Sequence, residues 1–279
     1  MKSVFNNFDM SNESPTTGFL TGNLPSAAAV DYLFYLADSA LILSQRNSEW
    51  CGHGPVLEQD IAITNISLDL LGQARNFYQH AATIINQTAQ QPTKEITEDD
   101  LAFLRSEREF KNLLLVEQPN GDWAQTILRQ YFFSQFQLLL YRQLQNHNDP
   151  QIAAIAAKSV KETTYHVRWS GEWVIRLGDG TEESHNRMET ALDKLWAYTG
   201  ELFVPADYEK ETGIDLLKLK EEWLTKVKAV FAEATLALPA VQEGAFMQIG
   251  GKEGRHTEYL GYILAEMQYL QRAYPGAKW

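Results

Sequence analysis

The residues of this chain best suited to chemistry are histidines with a glutamate one helical turn before them. Glu182-Glu183-Ser184-His185 and Glu253-Gly254-Arg255-His256 both read Glu-x-x-His. On a helix that spacing turns a carboxylate and an imidazole to one side, the donor pair that a carboxylate-bridged di-iron bundle takes from each of two helices. Composition alone supplies roughly half of one such string in a chain with this many glutamates. Both strings also stand where helices begin, one after the turn Leu177 to Thr181 and one after Gly250-Gly251-Lys252. There an acid answers free backbone N–H groups and the helix dipole without any metal. The mid-helix histidine is His166, with Thr163 three positions before it where the motif needs a glutamate. Glu162, four before, shares its face and could ligate a metal or hydrogen-bond.

The basic residues suggest a different chemistry. Arg105, Arg108 and Lys111 recur at spacing three, which predicts one stripe on a third helix, usable by a phosphate-bearing ligand. Salt bridges to Glu107 and Glu109 are the structural alternative. Glu109, Phe110, Lys111 and Asn112 lead into the apolar run LLLVEQPNG, a mixture that suits a docking surface as well as helix packing. No His-Glu-x-x-His, Gly-x-Ser-x-Gly, Walker or Gly-x-Gly-x-x-Gly string occurs, and the glycines at Gly250 to Gly254 follow no strand pattern. Cys51 is the single cysteine, which excludes an internal disulfide, fits a reducing cytoplasm and reads as a buried thiol.

The elements that must position these residues read as helices. Pro25-Ser26 opens the first, and Val30, Leu33, Phe34, Ala37, Ala40 and Leu41 follow at helical spacing to about Arg46. The second, to about Ile85, carries Leu57, Ile61, Ile66, Leu68, Leu70, Leu71 and Phe77, and so many apolar positions predict an interior helix. Thr97-Glu98-Asp99-Asp100 starts the third, expected to carry Leu101, Phe103, Leu104 and Phe110. Trp123 to Asn148 is a long helical segment without one Asp or Glu, so it cannot supply a carboxylate to a bundle-core metal site. Asp149-Pro150 caps the next helix, and further helices are expected near 184–199, 215–236 and 256–273. No segment alternates with period two. The chain therefore reads as all-α, with a mobile arm over residues 1–25 and one antiparallel four-helix bundle domain with flanking helices over 26–279.

A net charge of −12 argues against nucleic acid or an anionic membrane as partner. No apolar run is read as approaching the roughly 20 residues of a membrane span, and the N-terminus lacks the apolar stretch of a signal peptide.

The strings Trp50 to Ala82, Phe110 to Trp123, Lys194 to Phe203 and Gly250 to Arg272 resemble the ferritin-like subunits of ring-1,2-phenylacetyl-CoA epoxidase, on the side of the structural rather than the catalytic one. The likeness covers about residues 26–279. It implies a ferritin-like structural subunit with no metal of its own. Its partner, the related catalytic subunit, holds the di-iron site that epoxidises the aromatic ring in aerobic phenylacetate degradation. The catalytic relative's two Glu-x-x-His pairs would fall on Leu70 with Gln73 and on Thr163 with His166. The di-iron subunit and the other epoxidase subunits are then the expected partners. Phenylacetyl-CoA would meet this chain at the interface, with Arg105, Arg108, Glu109, Phe110, Lys111 and Asn112 as the candidate contacts. An active di-iron oxygenase and a free-standing CoA-thioester binding protein remain as alternatives.

Overall fold

The computed structural model describes residues 25–89, 94–239 and 247–277. Ten α-helices follow one another there: α1 (Pro25–Ser48), α2 (Leu57–Thr88), α3 (Glu98–Phe103), α4 (Leu114–Glu117), α5 (Trp123–Leu144), α6 (Pro150–Gly178), α7 (Glu182–Leu195), α8 (Leu216–Glu233), α9 (Glu258–Met267) and α10 (Tyr269–Ala273). Short 3-10 turns, including Glu107–Glu109, join some of them, and no strand occurs among the described residues. The arm expected over residues 1–25 lies outside the described residues, except that Pro25 already belongs to α1.

Helix starts are fixed by local chemistry. The Asp149 carboxylate accepts from Gln151 N at 2.8 Å and Ile152 N at 3.3 Å, with Pro150 in the first turn. Thr97 and Asp100 form a capping box at α3, and Asp122 accepts from Gln125 N at 3.0 Å to open α5. Four long helices form the ferritin-like core. α1 lies along α2 and α5 along α6, and α2 meets α6 to close the bundle. The contacts fall in reverse order along the chain: Ser44 with Ser67 and Asp38 with Tyr78 between α1 and α2, and Asp69 with His166 and Gln73 with Glu162 between α2 and α6. The core is therefore antiparallel. α7 and α8 cover α5 and α6, while α4 and α9 cover α1.

Burial divides the helices unequally. α5 has 19 of its 22 residues buried, so it is enclosed on every side and a carboxylate on any face would lose its solvent. α1 is likewise enclosed. Its segment Ala27–Ser48 is long and apolar enough to cross a membrane by length and composition, contrary to the sequence reading. Of the residues in its apolar window, 78% are buried inside the protein, as in a core helix.

Three further expectations need correction. α2 is not interior on all sides, since Leu57, Ile61, Leu68 and Leu71 face outward. Cys51 is exposed in the turn after α1. The third helix stops at Phe103, and the chain then turns inward. The cause is Asp38, fully buried in the middle of α1. Its carboxylate accepts from Arg105 Nη1 at 3.1 Å, from Arg105 Nη2, from the Tyr78 hydroxyl, and from Lys111 N at 2.8 Å. Arg105 is also fully buried, its guanidinium 4.3 Å from the ring centres of Phe34 and Phe110. Burial alone would lower the Arg105 pKa, but Asp38 and Tyr78 outweigh it and hold the group charged. Truncating one partner of such a pair strands the other charge. Arg105→Met should lose about 3–5 kcal/mol of unfolding free energy in urea titrations. A loss under about 1 kcal/mol would show that the pair does not organise this region.

Candidate functional site

The positions that would carry a di-iron centre lie along the seam between α2 and α6. Leu70 is fully buried and offers no donor atom. The Gln73 amide donates to Glu162 Oε2 at 2.9 Å, and its oxygen accepts from Gln137 Nε2 at 3.1 Å and from the Tyr141 hydroxyl at 3.2 Å. Thr163 donates its hydroxyl to Ser159 O at 2.8 Å. His166 Nε2 lies 3.0 Å from Asp69 Oδ2. The seam thus brings Gln73 and His166 onto one polar ladder, but each acid on it, Asp69 and Glu162, answers a different partner. A bridged di-iron centre needs shared carboxylates from four helices, and this set provides a leucine, a neutral amide, a hydroxyl and one imidazole. The residues do not fit that centre. Among the described residues no group of three or more His, Cys, Asp or Glu could hold a metal ion.

The candidate contact residues at 105–112 are not brought to one surface. Arg105, Phe110 and Asn112 are buried, and Arg108 is exposed. Glu109 turns back to accept from Ser106 N at 2.8 Å and Ser106 Oγ at 2.7 Å. Lys111 is half-buried, 3.4 Å from Asp31 and 5.3 Å from the ring of Tyr208. The basic stripe expected from the spacing therefore does not exist. Its three cations point into the core, into solvent and into a local ion pair.

The same segment is instead clamped to the C-terminal strings by buried carboxylates that sequence reasoning passed over. Glu201 accepts from Gly250 N, Gly251 N and Leu114 N, each at 2.7 Å. Burial raises its carboxyl pKa, with the three backbone donors acting against that rise. Lys252 donates to Glu209 Oε2 at 2.8 Å and to Val204 O at 3.0 Å. Burial lowers the Lys252 pKa, opposed by Glu209. Glu117 Oε1 accepts from Thr257 N at 2.7 Å and Thr257 Oγ1 at 2.8 Å, while its Oε2 accepts from Asn112 Nδ2 at 2.9 Å. Glycine is required where these stretches of chain touch. A Cβ on Gly251 would strike the Asn112 carbonyl, and one on Gly254, at φ +79°, the Arg108 carbonyl. Those glycines were the available signal, and they mark close backbone approach, not a phosphate loop.

His256 completes the clamp. Its Nδ1 lies 3.0 Å from Glu117 Oε2 and its Nε2 lies 2.9 Å from Phe110 O. Both neighbours are acceptors, so only an imidazolium, which donates from both nitrogens, would satisfy both.

A family model described as phenylacetic acid catabolic protein matches residues 21–279, nearly the whole chain. The chain belongs to the phenylacetic acid catabolic protein family. The C subunit of 1,2-phenylacetyl-CoA epoxidase from Escherichia coli (strain K12) is 50% identical over 253 residues, 89% of this chain and 98% of that one. A shorter match, 30% identical over 102 residues, is to the UV excision repair protein rhp23 of Schizosaccharomyces pombe. It spans 37% of this chain and 27% of that protein, too little of either to bear on the family. The site strings of this family member at Phe110 to Trp123 and Gly250 to His256 are thus the two halves of one buried clamp.

The clamp makes a pH prediction. Burial would lower the His256 pKa, but the hydrogen bond and charge of Glu117 and the Phe110 carbonyl raise it above the ordinary imidazole value. A folded-state pKa above the unfolded one gives stability that is full below the unfolded pKa, about 6.5, and lost as pH rises through the folded value. The stability difference between the parent and His256→Gln should therefore shrink as urea titrations move upward from about pH 6.5. A difference that stays constant across that range would mean the ring is buried neutral.

Proposed function

We propose that this chain is a non-catalytic structural subunit of a multicomponent 1,2-phenylacetyl-CoA epoxidase acting in aerobic phenylacetate degradation. The observation that carries the reading is the 50% identity to the C subunit of the E. coli epoxidase across 98% of that protein. The donor set at the α2–α6 seam supports the division of labour. A chain with Leu70, Gln73 and Thr163 at those positions leaves oxygen activation to a related subunit that keeps its di-iron ligands. The partners are then that di-iron subunit and the other epoxidase subunits. We place the assembly in the cytoplasm, where a lone exposed thiol such as Cys51 stays reduced.

The test is iron content per chain, for protein made in iron-rich medium alone and together with the di-iron subunit. Iron should be near zero in the isolated chain and appear with the partner. About two irons per isolated chain would instead make it a di-iron oxygenase in its own right.

For the acyl-CoA, the accessible members of the 105–112 set are Arg108, Glu109 and Lys111, and the two cations suit the phosphates of a CoA moiety. Arg108→Glu with Lys111→Glu should weaken phenylacetyl-CoA binding by the assembled complex about tenfold or more, measured by calorimetry. Unchanged affinity would remove this segment from the substrate's path.

A further inference from the structure

α2 buries an apolar face that includes Ile63, Ile66, Leu70 and Phe77, and it carries a second apolar strip on its outer side. Its polar side chains Gln59, Asp69, Gln73 and His80 reach α6 or the turn before it, to Trp169 and Trp173, His166, Glu162 and Asp149 respectively. Four further large apolar side chains of α2 face solvent: Leu57 is 72% exposed, Ile61 51%, Leu68 60% and Leu71 41%. Successive spacings of four, seven and three put them on one ridge of the helix. Where the ridge nears α3 it meets a cavity of about 320 Å³, lined by Leu41, Leu71, Ala74, Ala102 and Phe103 together with Tyr78, Asp99 and the Arg75–Glu98 ion pair.

The neighbouring helix adds a charge pattern. On α6, Lys158, Lys161, Arg168 and Arg176 are exposed, and Glu172 is the one exposed carboxylate of that helix. Glu162, also on α6, is half-buried and held by Gln73. In a chain of net charge −12, the exposed charges of α6 are therefore four cations to one carboxylate, with Arg168 4.0 Å from Glu172, while α2 adds the exposed Glu58 beside Leu57. We propose that this outward face of α2 and α6 docks a helical protein partner whose contacting helix carries an apolar ridge bordered by carboxylates. The inference rests on the reading of this chain as one subunit of an assembly. A carboxylate border answers the α6 cations, and an apolar knob from the same helix enters the cavity beside Leu71. A second copy of this chain fits less well. Face to face, it sets α6 cations against α6 cations, sets them against the apolar ridge, or leaves α6 outside the contact.

The experiment uses the full chain co-expressed with its source organism's own di-iron subunit, and reads the complex by size-exclusion chromatography and calorimetry. One variant, Ile61→Asp with Leu68→Asp, attacks the ridge. A second, Lys161→Glu with Arg168→Glu, reverses the border. All four positions are exposed, so both variants should keep the parent's helicity and melting temperature. The ridge variant should abolish co-elution, and the charge variant should weaken binding about tenfold or more. Lys218→Glu with Arg142→Glu, on another surface, should leave binding unchanged. If the parent pairs with the di-iron subunit and both test variants bind as tightly, the docking face is elsewhere and the reading of the chain as a subunit stands. If the parent pairs with no epoxidase subunit, that reading falls and this proposal with it. A homodimer of the isolated parent that the ridge variant splits would assign the face to a second copy and overturn the heteromeric partner.

Discussion

Asp38 constrains more of this fold than any other side chain. It is a carboxylate with no solvent access, set in the middle of a helix enclosed on all sides. A charge there is tolerated only if its oxygens are answered by donors of good geometry. The chain answers them from three places: the Tyr78 hydroxyl on α2, the Arg105 guanidinium after α3, and the Lys111 backbone amide. Bringing Arg105 inward ends α3 and draws the following segment against α1. Phe110 then lies on the guanidinium, and Asn112 comes within reach of Glu117. From Glu117 the constraint passes to His256 and Thr257, so one buried acid on α1 is linked through hydrogen bonds to the start of α9.

The acid-free helix α5 takes its composition from the same rule applied in reverse. With 19 of 22 residues buried, it has no face on which a carboxylate could stay hydrated. Its polar positions are therefore amides and hydroxyls that pair internally, as Gln130 does with Asn47 at 2.6 Å and Gln137 with Gln73. Its one internal cation, Arg129, donates to Asn120 Oδ1 at 2.6 Å and to the Gln118 carbonyl. Enclosure thus disfavours acids on α5 unless buried donors answer them. What argues against a metal centre is the donor set at Leu70, Gln73 and Thr163, since a paired carboxylate can be held in a dry interior, as Asp38 is.

What was legible in the sequence follows from which interactions are local. Asp122, Asp149-Pro150 and the Thr97–Asp100 box signal helix starts within a few residues, and the helices begin there. The end of α3 was not legible, because spacing three among Arg105, Arg108 and Lys111 fits a helix and the competing contact is to Asp38, 67 residues away. Glu201 was equally silent, since its donors lie 87 residues before it and 49 and 50 after it. For α2, periodicity identified many apolar positions but could not say what covers each face. At the α2–α6 seam, motif spacing drew Gln73 and His166 to the same place, whereas the Gln73–Glu162 and Asp69–His166 pairs needed the fold.

α2 presents a polar seam to α6 and an apolar strip to solvent, beside the apolar face that it buries in the core. A seam of amides, acids and imidazole held by hydrogen bonds contributes modestly to stability, because each bond replaces one made to water. Leaving Leu57, Ile61, Leu68 and Leu71 partly exposed forgoes only a fraction of the roughly 1.5–3 kcal/mol that full burial of each would contribute. Rotating α2 to bury the ridge would expose Ile63, Ile66, Leu70 and Phe77, so the outward strip comes in addition to a full buried face. The buried Asp38–Tyr78 contact and the Ser44–Ser67 bond pin α2 against that rotation. Covering the ridge would recover the forgone free energy at an interface, where the carboxylate of Asp69, already 38% exposed, would remain at the margin.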